Sequence, residues 1–388
     1  MNVTFRTFNV GKGDCITLLL QKEEQEIHIL VDCGKYTDEV NDFIEKRFFN
    51  KIDYLIVTHI DNDHIVGIIN ILRKTGIEIH HIIYNCYQRV PNNPQQWDTK
   101  MKNNILGVMN NLPIVVDMLE YKISAEKART LAETILTNKK WKNIWQREYI
   151  TDQSTPIELS NNMGKIIFLS PTQGALDNID HLYRKLFWKK LFKRKIEDYN
   201  EESTIYETLL RLSQLEIEED IIENISSKNL NKETLVSLSN KPLGKISSTN
   251  EASIAFIWEK DEHRILFMGD ASPKQIYDSL NKLYSTTPKP ILFDVIKISH
   301  HGSANNTTNE LINVADSKQY FFTGKTESAP SINTIARIVT APLSEKIPFR
   351  TLNYNQASKN IKELEKYKDL QEELNFKLLN HNQYEFSC

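Results

Sequence analysis

Apolar runs of strand length open the chain. Residues 3–10, 15–20 and 26–31 are apolar or alternating, and the polar turns GKGD (11–14) and QKEEQ (21–25) separate them. Such runs between turn residues predict strands. Residues 38–49 place Val40, Phe43, Ile44 and Phe48 at helical spacing. A strongly apolar strand at 54–57, a helix at 65–75 and a strand at 78–84 follow. Residues 95–160 and 174–240 change character: they are rich in Lys, Glu, Leu and Asn, with helical periodicity. Between them KIIFLSPTQ (165–173) is a strand leading into a turn. From Ser253 the strands return as SIAFIWE, RILFMGDAS, FDVIKISHHGS and KQYFFTG, with helix-like stretches at 273–285, 307–315 and 330–340. A charged helix is predicted for 356–375 and an edge strand for QYEFS at 383–387. This alternation argues a layered α/β architecture. The chain divides into a first core half (1–94), a mainly helical insertion carrying one core strand (95–245) and a second core half with a C-terminal helix and strand (246–388).

Composition narrows the class only a little. The 388 residues are 40% hydrophobic, enough for one large core or two. A formal charge of −3 excludes a global basic field. Cys15, Cys33, Cys86 and Cys388 show no CxxC spacing, unlike a disulfide framework. The N-terminus has no basic segment followed by a long apolar one, and no window approaches the ~18–20 apolar residues of a membrane span. The expectation is a soluble, cytoplasmic protein with no membrane partner.

The chemistry concentrates where the strand at 54–57 ends. His59, Asp61, Asp63 and His64 fall within the turn THIDNDH, before an apolar helix. A helix cap needs one Asp and no histidine; imidazole with carboxylate suits zinc, manganese or iron. Gly269-Asp270 ends another strand, and Ser299-His300-His301-Gly302-Ser303 ends a third. Adjacent strand residues point to opposite sides, so one of the two histidines is expected at a metal and the other toward substrate. Asp270 is the natural bridge between two metals. His80 and His81 read as structural, and His181 as a surface residue.

These pieces, in this order, resemble the metallo-β-lactamase fold, and within it the ComEC-type hydrolase domain and its stand-alone relatives. NVGKGDCITL (9–18), VDCG (31–34) and TNEASIAF (249–256) resemble further segments of that group. The resemblance covers roughly 1–85 and 250–340, with a loose similarity at KIIFLSPT. It implies a four-layer αββα sandwich with a helical insertion, binding two divalent metal ions, zinc or manganese. It also implies hydrolysis of phosphodiester bonds by a metal-activated hydroxide, as in a nuclease with a nucleic acid substrate. By position His59 and Asp61 would hold the first metal, and Asp63, His64 and His301 the second. Asp270 would bridge them and His300 would contact the scissile phosphate; Asp63 and His300 form the catalytic pair. Stand-alone relatives are often encoded beside antiviral defence genes.

The chain departs from that pattern twice. Asp61 replaces a histidine of the commoner HxHxDH motif, as in ComEC relatives, which tilts preference toward manganese. Ala329, within Ser328-Ala329-Pro330, stands where relatives carry Gly-His-Pro, so the first-metal site is short of a ligand. Two other readings follow: a phosphodiesterase of cyclic nucleotides or phosphocholine-type diesters under a lid, or a non-catalytic module that docks a protein partner through the insertion. The stretch LYRKLFWKKLFKRKI (182–196) has seven Lys/Arg among aromatics. It reads first as an amphipathic helix with solvated lysines, and second as a nucleic-acid track.

Overall fold

The computed structural model describes residues 1–85, 131–146, 148–179, 230–324, 326 and 329–388. The basic stretch at 182–196, His181, Cys86 and Ser328 lie outside the described residues.

The apolar runs build two sheets. The first comprises β1 (Asn2–Thr7), β2 (Cys15–Lys22), β3 (Gln25–Cys33), β4 (Lys51–Val57) and β5 (Glu78–Tyr84). The second takes β6 (Ile157–Glu158), β7 (Lys165–Ser170), β8 (Ala255–Lys260), β9 (His263–Phe267) and β11 (Val295–Lys297). It continues through β13 (Gln319–Phe322), β14 (Arg350–Tyr354) and β15 (Phe376–Asn380). β10 (Ile291–Phe293) and β12 (Ala315–Ser317) pair separately, and β16 (Gln383–Ser387) returns to the edge of the first sheet beside β1, where an edge strand was expected.

Each central strand is buried on both faces, which is why β2 and β4 read as apolar runs without clean alternation. Val3, Phe5, Ile16, Leu18 and Leu20 meet Phe256, Trp258, Phe267 and Phe321 between the sheets. On the outer side of the first sheet Leu19, Leu30 and Leu55 pack on Val40 and Ile44 of the helix Asp38–Lys46 and on Ile65, Ile68 and Leu72 of the helix Asn62–Arg73. Ile257, Leu266 and Ile296 do the same for the second sheet against the helices Pro273–Leu283 and Ile332–Thr340. The layers are therefore αββα, the expected metallo-β-lactamase fold.

Part of the segment expected as an insertion belongs to these outer layers. Leu131, Ile135 and Trp141 join the cluster over the first sheet, and the Trp141 indole donates to Leu72 O at 3.0 Å. Leu235 and Leu238 of the helix Lys232–Ser239 join the cluster over the second.

Two expectations fail in the C-terminal region. The helix predicted for 356–375 is two short ones, Lys359–Leu364 and Lys368–Glu373, broken at Tyr367, whose ψ is 69°. Leu364 and Leu370 lie six residues apart, on different faces of a straight 3.6-residue helix; the break lets both reach the core. β14 was not expected at all, because its apolar pattern is interrupted by Arg350 and Asn353, both buried. Arg350 grips the Asp316 carboxylate with two bonds of 2.9 and 2.8 Å and donates to the carbonyls of Ile338, Ala341 and Pro342.

β3–β4–β5 run parallel in one sheet and β9–β11–β13–β14 in the other. The candidate residues follow the carboxyl ends of β4 in one sheet and of β9 and β11 in the other, the usual place for a site in parallel sheets. No helix among the described residues is long and apolar enough to cross a membrane. Removing one partner of a buried pair strands the other charge. Asp316→Ala is therefore expected to lower stability by about 3–5 kcal/mol, read as a shifted urea midpoint; an unchanged midpoint would contradict the role given to this pair.

Candidate metal centre

The THIDNDH turn begins where β4 releases Thr58. The Thr58 amide and hydroxyl both donate to the buried Asp32 carboxylate, at 2.8 and 2.7 Å. Asp32 sits at the end of β3 with φ of 54°, a left-handed conformation rare for a residue with a Cβ. Because the Thr58 hydroxyl spends its proton on Asp32, its oxygen accepts from His59 Nδ1, 2.9 Å away. Asp32 also accepts from His64 Nδ1 at 2.8 Å. Both rings are thereby fixed with Nε2 pointing away from their anchors. This is the arrangement of a metal-ligating histidine, whose other nitrogen is held by a carboxylate or an oxygen.

Asp61 occupies the N-cap position of the helix Asn62–Arg73, yet its side chain makes no capping bond. Its Oδ2 instead lies 3.4 Å from His59 Nε2. Asp270 enters from the turn after β9, on the other sheet. Its Oδ2 lies 3.6 Å from His59 Nε2, 3.5 Å from His64 Nε2 and 3.8 Å from His300 Nε2. Asp63 Oδ2 lies 3.9 Å from His64 Nε2 and 3.2 Å from His301 Nε2. The seven residues singled out from sequence thus converge on one point between the sheets. Three triads among the described residues have donor atoms within 4.8 Å of one another: His59/His64/Asp270, Asp63/His64/His301 and, on the Nδ1 side of His64, Asp14/Asp32/His64.

The histidine pair differs from expectation in how it is presented. His300 and His301 are not strand residues with alternating directions. Both sit in the 3₁₀ turn Ser299–Gly302 with left-handed φ of 48° and 54°. The turn is pinned by His300 N–H donating to Gly269 O at 3.0 Å, which ties it to the Asp270 turn. His301 is buried, whereas the His300 side chain is 22% exposed. His300 Nδ1 lies 3.1 Å from Asn306 Oδ1 and 3.3 Å from Asn250 Nδ2, and Asn306 donates to Asp270 O at 3.0 Å.

Ala329, expected from the resemblance to stand at a ligand position, is buried and brings no donor atom to the centre. Its segment packs instead. Pro330 lies against Gly302, where a Cβ would meet Pro330 Cβ at 2.9 Å, and Ser331 N–H donates to Gly302 O at 2.8 Å. His80 and His81 are where structural histidines belong: His80 bonds Asp53 at 3.1 Å and Glu78 at 2.9 Å, and His81 stacks on Tyr54.

The charge balance fits a cation. Burial by itself would raise the Asp270 and Asp63 carboxyls; the imidazoles outweigh it. Asp270 is held well below the usual carboxylate range, by His64 first, and Asp63 falls to about 2 through His64 and His301. Burial would likewise lower the imidazoles, yet Asp270, Asp63 and Asp32 drive His64 well up, and Asp14 and Asp63 push His301 up to about 10. A field that favours positive charge at this point favours a divalent ion for the same reason. His59 Nε2, His64 Nε2, Asp61 Oδ1 and Asp270 Oδ1 are buried without a hydrogen-bond partner among the described residues. Buried polar atoms are normally satisfied; four such donor atoms around one point fit a metal.

Several contributors escaped the sequence reading. Asp32, Thr58, Ser253 and Asn306 hold ligands rather than act as ligands; Ser253 Oγ accepts from Asp270 N–H at 3.1 Å. Asp14 lies behind His301, with Oδ1 3.0 Å from its Nδ1. Asp14, Asp32 and Ser253 were present only as family-like segments, GKGD, VDCG and TNEAS; Thr58 opened the THIDNDH turn without a role, and Asn306 had no signal. Gly13 and Gly34 belong to two of these segments: a Cβ on either would overlap the Asp63 carbonyl.

With the geometry in place, comparison with known proteins finds one family model in the N-terminal part of the chain: residues 12–104 match that of the metallo-β-lactamase superfamily. No curated protein matches the chain. Among solved structures it is similar to a new diphosphatase from the PhnP family, with 10% identity over 100% of this chain and 98% of that one and a TM-score of 0.37. It is also similar to a mutant of CmlA β-hydroxylase, with 8% identity over 99% of this chain and 54% of that one, again at a TM-score of 0.37. At that similarity neither neighbour bears on the chemistry.

Partners that orient metal-ligating histidines are worth about 10–100-fold in metal affinity. Asp32→Asn is expected to weaken binding of Zn²⁺ or Mn²⁺ by a factor in that range, read by competition with a chromophoric chelator. Unaltered affinity would mean that Asp32 does not orient His64.

Proposed function

We propose that the protein is a binuclear metal-dependent hydrolase of phosphodiester bonds acting on nucleic acid, like the ComEC-type domains it resembles. The observation that carries this reading is the position of Asp270. One carboxylate oxygen lies 3.5–3.8 Å from ring nitrogens of His59, His64 and His300, so it reaches a histidine of each proposed ion position. That is where a bridge between two ions belongs. His59 and Asp61 would hold one ion, and Asp63, His64 and His301 the other.

Bound divalent ions would supply Lewis acidity and a nucleophile at near-neutral pH, and a two-ion centre suits in-line displacement at phosphorus. The chain's own groups do the rest. Asp270 fixes the spacing of the centre from the second sheet. The carboxylates of Asp61 and Asp63 balance the added charge. His300 stands at the accessible edge with Nδ1 beside Asn306 and Asn250, so that its Nε2 faces an incoming phosphate, where it can hold or move a proton.

Asp270→Ala and His64→Ala are each expected to abolish cleavage of single-stranded DNA and RNA while the far-ultraviolet circular dichroism stays that of the parent. His300→Ala, which leaves the ions in place, is expected to lower kcat by about 10²–10⁴, the usual worth of a general acid–base group. Competition between single-stranded DNA and a small diester fixes the substrate class, the polymer being the better competitor. An Asp270→Ala/His64→Ala double variant that cuts as well as the parent would overturn the assignment.

A further inference from the structure

The last residue of β11 is a lysine buried as deeply as the core: Lys297 is 1% exposed. Burying an ammonium is costly unless it is paired and hydrogen-bonded. Lys297 Nζ pairs with Asp14 Oδ2 and approaches Gly269 O at 3.4 Å. Asp14, just before β2, is equally buried, so the pair bridges the two sheets. The other carboxylate oxygen of Asp14 takes the Thr323 hydroxyl and faces His301 Nδ1 at 3.0 Å. His301 Nδ1 also lies 3.0 Å from Thr323 O. The backbone of Asp14 is tied to the Asp63 turn and to the loop after β3: its N–H donates to Asp63 O at 3.1 Å, and its C=O accepts from Gly34 N–H at 2.8 Å. One residue therefore touches His301 and the main chain of Asp63, the two groups proposed to hold the same ion with His64.

The asymmetry between the two backing carboxylates is informative. Asp32, behind His64, is satisfied by the Thr58 amide and hydroxyl and by His64, all without a lysine. Asp14, behind His301, has a full cation on its far oxygen. A buried carboxylate held by three donors and neutralised by one of them stays an acceptor, which keeps the His301 proton on Nδ1 and leaves Nε2 toward the centre.

We propose that Asp14 and Lys297 form a positioning unit for the metal position held by Asp63, His64 and His301, with Lys297 fixing the Asp14 carboxylate as the acceptor that orients His301. This rests on the two-ion reading above.

The test is a titration of the metal-free full chain with Mn²⁺, followed by calorimetry, for the parent, Lys297→Met, Asp14→Asn and the double variant. The double variant removes both buried charges and leaves neither stranded, so it keeps the fold when a single variant does not. The parent is expected to bind two ions. The double variant is expected to keep one at parental affinity and to bind the other about 10–100-fold more weakly, as loss of an orienting partner does. Single variants that fold are expected to lose as much as the double, because the residues act as a unit. A double variant that melts lower but binds both ions at parental affinity would make the pair merely structural and overturn the inference. A parent that binds no ion would overturn the two-ion reading itself, and the inference with it.

Discussion

Carboxylates cannot be buried together without cations to balance them, and this constraint organises the molecule. Asp14, Asp32, Asp61, Asp63 and Asp270 meet where the two sheets approach, and four of the five belong to segments the first sheet supplies. The second sheet supplies Asp270 and most of the compensation, through Lys297, His300 and His301. Neither sheet holds a balanced set alone, so the centre is complete only when the sandwich is closed. The hydrogen bond from Ile254 N–H to Thr58 O, at 2.9 Å, lies on the same seam.

The sandwich supplies what such a centre requires. Strands buried on both faces give rigid ends, and short turns at those ends carry the reactive groups. Those turns are held at close quarters. Asp32, His300 and His301 adopt left-handed backbone conformations, and glycines at 13 and 34 let two neighbouring loops pass against the Asp63 carbonyl. Such concentrated strain occurs where the surroundings over-determine a geometry, commonly at functional sites.

How much of this could be read from the sequence depended on whether a residue's role is local. THIDNDH declared itself because four side chains of metal-ligating type crowd one turn. Asp270 and His300/His301 were legible because each follows an apolar strand. A layered α/β architecture followed from the alternation of strands and helices, and the αββα order from the family resemblance. Asp14 and Lys297 were not legible, because an aspartate in a GKGD turn and a lysine ending a strand are ordinary until the fold makes them meet. β14 was lost because Arg350 and Asn353 break its apolar pattern, and their compensation by Asp316 and Gln319 comes from another strand. The histidine pair lies beside Asp270, but strand alternation was the wrong local model for its 3₁₀ turn. The segment after Ala329 packs against Gly302 through Pro330 and Ser331.

The central claim is that two divalent ions sit on either side of Asp270. Anomalous diffraction from crystals of the full chain loaded with Mn²⁺, collected above and below the manganese edge, tests it most directly. The account predicts two peaks per chain, one beside His59 and Asp61 and one beside Asp63, His64 and His301, with the Asp270 carboxylate between them. A chain with no peak at this seam, or with its ions bound elsewhere, would contradict it.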